Sequence, residues 1–165
     1  MIKTQRLILT PFTDRDARAF YDLSRDSGFT LFPINDYRQD SEASALTWIR
    51  EKSRGKFAVR RNDSPDLIGM GGLTPWIWEG ESLIDITYRL RESAWGQGLG
   101  WELAEGLRNF GLDQKFTNMT LTITPDNFPS KKIAHRLGFV LEKKILLLGV
   151  ETELYRYSSS SSSSF

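Results

Sequence analysis

The clearest pattern in the chain begins with a largely apolar, β-branched run at residues 83–90 (Leu-Ile-Asp-Ile-Thr-Tyr-Arg-Leu) that stops at a short polar loop. Glycines then alternate through Gly96-Gln97-Gly98-Leu99-Gly100, and from Leu99 apolar residues recur at Leu103, Leu107 and Phe110. That recurrence is the spacing of one helix face. The stretch therefore predicts a strand that hands over to a helix, with the glycines at the helix N-terminus.

The same reading extends to both sides. Residues 4–9 alternate and predict a strand closed by Thr10-Pro11. Thr13 and Asp16 form a weak capping box before a helix whose buried side carries Ala17, Phe20, Tyr21 and Ser24. Residues 28–37 predict a loop with apolar content. Ser41 caps a second helix, with Ala45, Trp48 and Ile49 inward. Residues 57–59 and 67–73 predict two short strands joined by the turn-rich 62–66 segment. Residues 74–81, with Trp76 and Trp78, lead into the central strand. Beyond the central helix, residues 119–123 predict a strand and residues 130–137 a short helix ended by Gly138. Three last strands are expected at 139–142, 144–148 and 151–157. This order, with strands and helices interleaved, predicts a mixed α/β sheet carrying helices on both faces.

One domain over residues 1–157 accounts for the pattern, and 165 residues suffice for a sizeable core. Residues 158–165, seven serines and Phe165, are low complexity and read as a disordered tail or an artefact. A formal charge of +1 argues against a nucleic-acid binder that relies on a basic surface. With no cysteine, thiolate metal sites, disulfides and Cys nucleophiles all drop out. The single histidine excludes a His-rich metal site and disfavours a Ser-His-Asp triad. No run approaches membrane-spanning length and no signal peptide precedes Thr4, so the expectation is a soluble, cytoplasmic protein without membrane partners. The remaining chemistry is of a kind that needs neither thiol nor metal.

A strand-to-helix turn rich in glycine suits an anion. Backbone N–H groups there lack an intrahelical partner, the helix dipole adds partial positive charge, and a missing Cβ lets the chain close on a phosphate. A Rossmann dinucleotide site is the obvious competitor. It wants a third glycine, but Trp101 or Leu103 stands at that position, and residues 119–123 carry no acid for a ribose.

Strand, glycine turn, helix and strand, followed by Asn127-Phe128-Pro129-Ser130 and Leu137-Gly138-Phe139, resemble the GNAT superfamily of acetyl-CoA-dependent N-acetyltransferases. The opening Thr4-Gln5-Arg6-Leu7-Ile8-Leu9 and the Asp85-Ile86-Thr87-Tyr88…Trp95-Gly96-Gln97-Gly98 spacing are similar to the branch that acetylates N-termini of ribosomal proteins. Trp95 stands where the wider family has Gln or Arg. The resemblance implies a GNAT fold with a mixed, mostly antiparallel central sheet, and acetyl-CoA as co-substrate without a metal.

It also implies site residues. Gly96, Gln97, Gly98, Leu99, Gly100 and Trp101 would hold the pyrophosphate, with Asn127 and Ser130 also touching the coenzyme. The strand edge at Arg89, Leu90 and Arg91 would pair with its amide-rich arm, and a backbone N–H near Leu90 would polarise the thioester carbonyl. The family's usual tyrosine acid falls on Ala134, so Ser130 is expected to protonate the leaving thiolate or to position a water that does so. Asp85 is the candidate base, against a bland reading as a polar residue on the solvated face of an edge-like strand. Glu79 and Glu81 are loop alternatives, and His135 is expected to be structural or exposed. Lys131, Lys132 and Arg136 could meet the coenzyme's ribose phosphate.

Acceptor selectivity is expected from Phe29, Phe32, Tyr37, Trp76 and Trp78. An α-amine has a pKa of about 7.7–8.0 against about 10.4 for lysine, so near neutral pH a low-pKa amine needs less help from a base. The acceptor is expected to be a primary amine, a protein N-terminus or alternatively a polyamine, amino acid or antibiotic. A non-catalytic acyl-CoA sensor is the other reading. An exposed late strand could also pair two subunits into a homodimer.

Overall fold

The computed structural model describes residues 1–31 and 37–158. In chain order the elements are β1 (Ile2–Lys3), β2 (Leu7–Pro11), α1 (Ala17–Ser24), α2 (Ser27–Thr30), α3 (Glu42–Lys52), β3 (Lys56–Arg61), β4 (Leu67–Trp78), β5 (Glu81–Leu90), α4 (Leu99–Asp113), β6 (Met119–Ile123), α5 (Phe128–Arg136), β7 (Phe139–Leu147) and β8 (Val150–Tyr157). The strands form one sheet in the order β1-β2-β3-β4-β5-β6-β8-β7. Every pairing is antiparallel except that of β5 with β6. This is the mixed, mostly antiparallel sheet expected from the sequence. Phe32 and residues 159–165 lie outside the described residues.

Four local expectations are corrected. The strand predicted at 4–9 starts only at Leu7 and runs on to Pro11, with the separate β1 before it, because the Thr4 N–H donates to the Leu7 carbonyl (3.0 Å) and the Leu7 N–H to the Thr4 hydroxyl (3.1 Å), closing a turn between β1 and β2. Within the predicted 28–37 loop, Asp26 caps the short helix α2 by accepting from the Gly28 N–H. The supposed lead-in at 74–81 is the far half of β4, which turns at Glu79-Gly80, both at positive φ, straight into β5. The three last strands are two, β7 running through a register shift between Leu141 and Lys143.

The sheet separates two cores. On one face α4 and α5 bury Leu99, Leu103, Leu107, Ala134 and Leu137 against Leu7, Leu9, Val59 and Leu121. On the other, α1 and α3 pack Phe20 and Trp48 as a stacked pair, with ring centroids 4.3 Å apart, over Ala58, Leu67 and Met70. Helices cover both faces, as expected. Among the described residues no helix is long and apolar enough to cross a membrane.

Candidate active site

The sheet opens where its single parallel pairing ends. β5 and β6 share only Ile84↔Met119 and Asp85↔Thr120, while β6 continues with β8 as far as Ile123. The Ile84 N–H donates across that seam to the Asn118 carbonyl (3.0 Å), and the Arg91 N–H donates the opposite way to the Ile68 carbonyl beside β4 (2.9 Å). Strand alternation turns the N–H groups of Ile86, Tyr88 and Leu90 to β6's side; the Asp85↔Thr120 pairing uses that of Ile86, and those of Tyr88 and Leu90 lie beyond the point where β6 diverges. Asp85 thus lies on an interior strand, which removes the edge-strand reading.

The end of this open edge is held firmly. The Trp95 indole N–H donates to the Leu90 carbonyl (3.0 Å), so the residue that departs from the family's usual Gln or Arg has a defined anchoring role. Asp26 accepts from both the Gly28 and Glu92 N–H groups at 2.8 Å, tying α2 to the loop that follows β5. A Cβ at Gly28 would sit 2.1 Å from the Leu90 carbonyl oxygen, so only glycine permits this approach. Neither Asp26 nor Gly28 was singled out from the sequence for this role, because the partners lie more than sixty residues away.

Two cavities meet at the opening. One, of about 210 Å³, runs along the β5 edge past Ile86, Tyr88 and Arg89 to Asn127 and Ser130. The other, of about 320 Å³, lies towards α3 and is lined by Trp48, Lys52, Thr74 and Trp76. Asp85 borders both, together with Tyr37, Thr87, Thr122 and Leu147. As a residue Asp85 is half-buried, yet its carboxylate is enclosed. Burial pushes its carboxyl up to about 7, while the Thr120 and Thr122 hydroxyls pull the other way, bonding its two oxygens at 3.0 and 3.4 Å.

The glycine turn sits at the α4 N-terminus. Gly96 and Gly98 have φ of +78° and +77°, a region that side chains with a Cβ rarely adopt. Gly100 is already helical, and a Cβ there would meet only an ordinary contact with Ile133. The N–H groups of Leu99, Gly100 and Trp101 head the helix without an intrahelical acceptor. Arg6 braces this turn from β2's side, donating to the Gln97 carbonyl (3.0 Å) and to Glu102 (2.8 Å). Arg61 bonds the Gln97 side chain. Burial alone would raise the Glu102 carboxyl, but the Thr4 hydroxyl and Arg6 hold it below the usual carboxylate range.

Asn127 caps α5, its side chain accepting from the Ser130 N–H (3.3 Å), with Pro129 in the first turn. Ala134 is fully buried. The Tyr88 hydroxyl lies 3.1 Å from Ser130 Oγ, and burial raises its phenol above the ordinary value. Tyr88 escaped the sequence reading because Ser130 is 42 residues away and only the fold brings them together.

The other candidates divide clearly. Trp76 lines the second cavity and Trp78 lines neither, although their rings lie 6.0 Å apart. Phe29 is fully buried in the core. Arg89 lines the first cavity, its guanidinium 4.8 Å from the Tyr37 ring centroid, while the Arg91 backbone is turned to β4. Glu79 and Glu81 pair with Lys143 and Arg156, away from the cleft. His135 and Lys132 are exposed, Lys131 pairs with Glu153 (3.2 Å), and Arg136 stacks on Trp101 (4.0 Å). A third cavity, of about 560 Å³, lies between α4 and the N-terminal segment and contains none of the cleft residues. Among the described residues no group of three or more His, Asp or Glu could hold a metal ion.

Known proteins resemble the chain in sequence and in fold. The chain is 26% identical over 137 residues to YkkB, an uncharacterised protein of Bacillus subtilis (strain 168), covering 81% of this chain and 74% of that one. A GNAT-family acetyltransferase from Bacillus anthracis superposes with a TM-score of 0.75 at 19% identity, over 94% of this chain and 95% of that one. The ribosomal alpha-N-protein acetyltransferase RimL, in complex with coenzyme A, does so with a TM-score of 0.74 at 17% identity, over 93% and 94%. The family model of the acetyltransferase (GNAT) domain matches residues 6–140, and with the split sheet and glycine turn in place the chain belongs to the GNAT acetyltransferases.

Proposed function

We propose that the protein transfers the acetyl group of acetyl-CoA directly to a primary amine in a ternary complex, with a protein or peptide α-amine as acceptor. The observation that carries this is Asp85 at the junction of two cavities, where β5 and β6 part. The residues suit the donor. The open β5 edge offers the N–H groups of Tyr88 and Leu90 to an amide-rich arm, and the positive-φ turn at Gly96 and Gly98 sets a row of free N–H groups for a pyrophosphate. Bound acetyl-CoA supplies the thioester.

The chain's own groups supply the rest. The Leu90 N–H is placed to stabilise charge developing on the thioester carbonyl, so no titratable side chain is needed there. Asp85, poised near neutrality, takes the proton that the attacking amine gives up. Ser130 gives a proton to the departing thiolate and takes one from the Tyr88 hydroxyl, whose own proton solvent restores. Tyr88, kept neutral by its burial, donates towards Ser130 Oγ and leaves the serine proton free to turn into the cleft. An acid at one end and a base at the other favour turnover over a sensor.

An acceptor screen with acetyl-CoA tests this. Peptides with free N-termini should be acetylated at the α-amine, and the same peptides blocked at the N-terminus but carrying lysine should not. Turnover confined to polyamines, free amino acids or aminoglycosides would replace the acceptor class. Coenzyme binding without turnover on any amine would leave only the sensor reading.

A further inference from the structure

Three side chains from three strands form a directed chain ending at the base. The Trp76 indole N–H lies 3.1 Å from Thr120 Oγ1, and Thr120 Oγ1 lies 3.0 Å from Asp85 Oδ1. An indole nitrogen can only donate. Thr120 must therefore accept from Trp76, and its own single proton has two destinations, Asp85 at 3.0 Å or the Ile84 carbonyl at 3.5 Å. Donation into the hydroxyl oxygen polarises its O–H and makes it a poorer acceptor, which favours the arrangement in which Thr120 donates to an ionised Asp85. The opposite arrangement, a protonated Asp85 donating to Thr120 while Thr120 turns to Ile84, competes with Trp76 for the same oxygen. Thr120 is fully buried, so water does not blur the choice.

We infer that Trp76 is a positioning residue for the base: its indole N–H, acting through the Thr120 hydroxyl, holds Asp85 in the proton-accepting state. The inference rests on the reading of Asp85 as the base. Thr122 supplies a second, unrelayed bond to Oδ2 at 3.4 Å. The other titratable or charged groups that share the two cavities with Asp85 are Lys52 from α3, Lys56 from β3, Tyr37, and Tyr88 and Arg89 from β5 itself. Because Trp76 also walls the acceptor cavity, one side chain shapes that space and sets the ionisation of the base beside it.

The test is the titration of the Asp85 carboxyl by carbon-detected NMR in the protein without coenzyme, assigned by its loss in Asp85→Asn. Trp76→Phe keeps an aromatic wall but removes the donor, and should raise the midpoint by about half a pH unit. Thr120→Val should raise it further, and Trp76→Phe should add nothing in the Thr120→Val background. Thr120→Ser, which restores the hydroxyl, should return the midpoint towards wild type. An unmoved midpoint in Trp76→Phe, or additive shifts in the double variant, overturns the relay. In an active preparation the acid limb of kcat/KM should move with the midpoint. If the midpoint moves and the limb does not, Asp85 is not the base, and the underlying reading fails while the relay stands.

Discussion

Folding raises the Asp85 carboxyl to about 7, so between roughly pH 4 and pH 7 the folded chain holds a proton that the unfolded chain has released. A carboxyl whose folded value is raised stabilises the fold fully below its unfolded value, and that contribution is lost as pH rises through the folded one. Asp85→Asn should therefore gain on wild type by about 1.4 kcal/mol per pH unit across that window, with the gap constant above it. Urea melts at several pH values measure this, and a gap that does not change with pH would refute the raised carboxyl. In kinetics the sign reverses. The base works only when ionised, so wild-type kcat/KM should climb to a plateau above pH 7, and Asp85→Asn should lose most activity together with that limb. Asp85 was legible as a candidate through the family resemblance, which implies an acid at its place in the run at 83–90. Its environment was not, since Thr120 and Thr122 reach it only through the β5–β6 pairing.

Among the elements, α4 was the easiest to read and β4 the hardest, for opposite physical reasons. The Leu99, Leu103 and Leu107 stripe packs against one sheet face, so local spacing states the outcome. In β4, Pro75 just before Trp76 argues against an interior strand. The Leu73 N–H points to β3's side, donating to the Gly55 carbonyl, and Pro75 shares that orientation just past β3's end at Lys56. Its missing N–H therefore breaks no ladder bond, while the strand keeps pairing with β5 on its other edge. The joint between β2 and α4 was equally hidden. Arg6 ties Glu102 in the first turn of α4 to the Gln97 carbonyl in the glycine turn, over more than ninety residues. Arg6→Met should leave the turn unbraced and the partly buried Glu102 poorly paired. The expected result is a several-fold higher KM for acetyl-CoA with kcat little changed, and a stability loss of about 1–3 kcal/mol. A fall in kcat with KM intact would place Arg6 in the chemistry rather than in the turn.

The whole molecule is a sheet nearly cut in two. β1 to β5 form one body with α1, α3 and α4, while β6, β8 and β7 form the other with α5, and the backbone seam between them is two residue pairs long. Side-chain ties cross the same seam as well, among them the Asn118 amide to the Ser82 carbonyl, Arg156 to Glu81, Trp76 to Thr120, and Thr120 and Thr122 to Asp85. The gap leaves backbone donors at Tyr88 and Leu90 that an uninterrupted sheet would pair, and glycine freedom at Gly96 and Gly98 sets further donors in line with it. A ligand that spans the gap replaces the missing ladder and binds only the folded state. At about a hundred times its Kd, acetyl-CoA should stabilise the protein by about 2.7 kcal/mol and raise Tm by roughly 5–10 °C, and NAD should not. Hydrogen exchange locates the effect. The amides of Tyr88 and Leu90 should slow on coenzyme binding, whereas β3 amides paired on both sides should change only as far as global stability does. A Tm rise without local protection at those two amides would mean that the coenzyme binds elsewhere than across the seam.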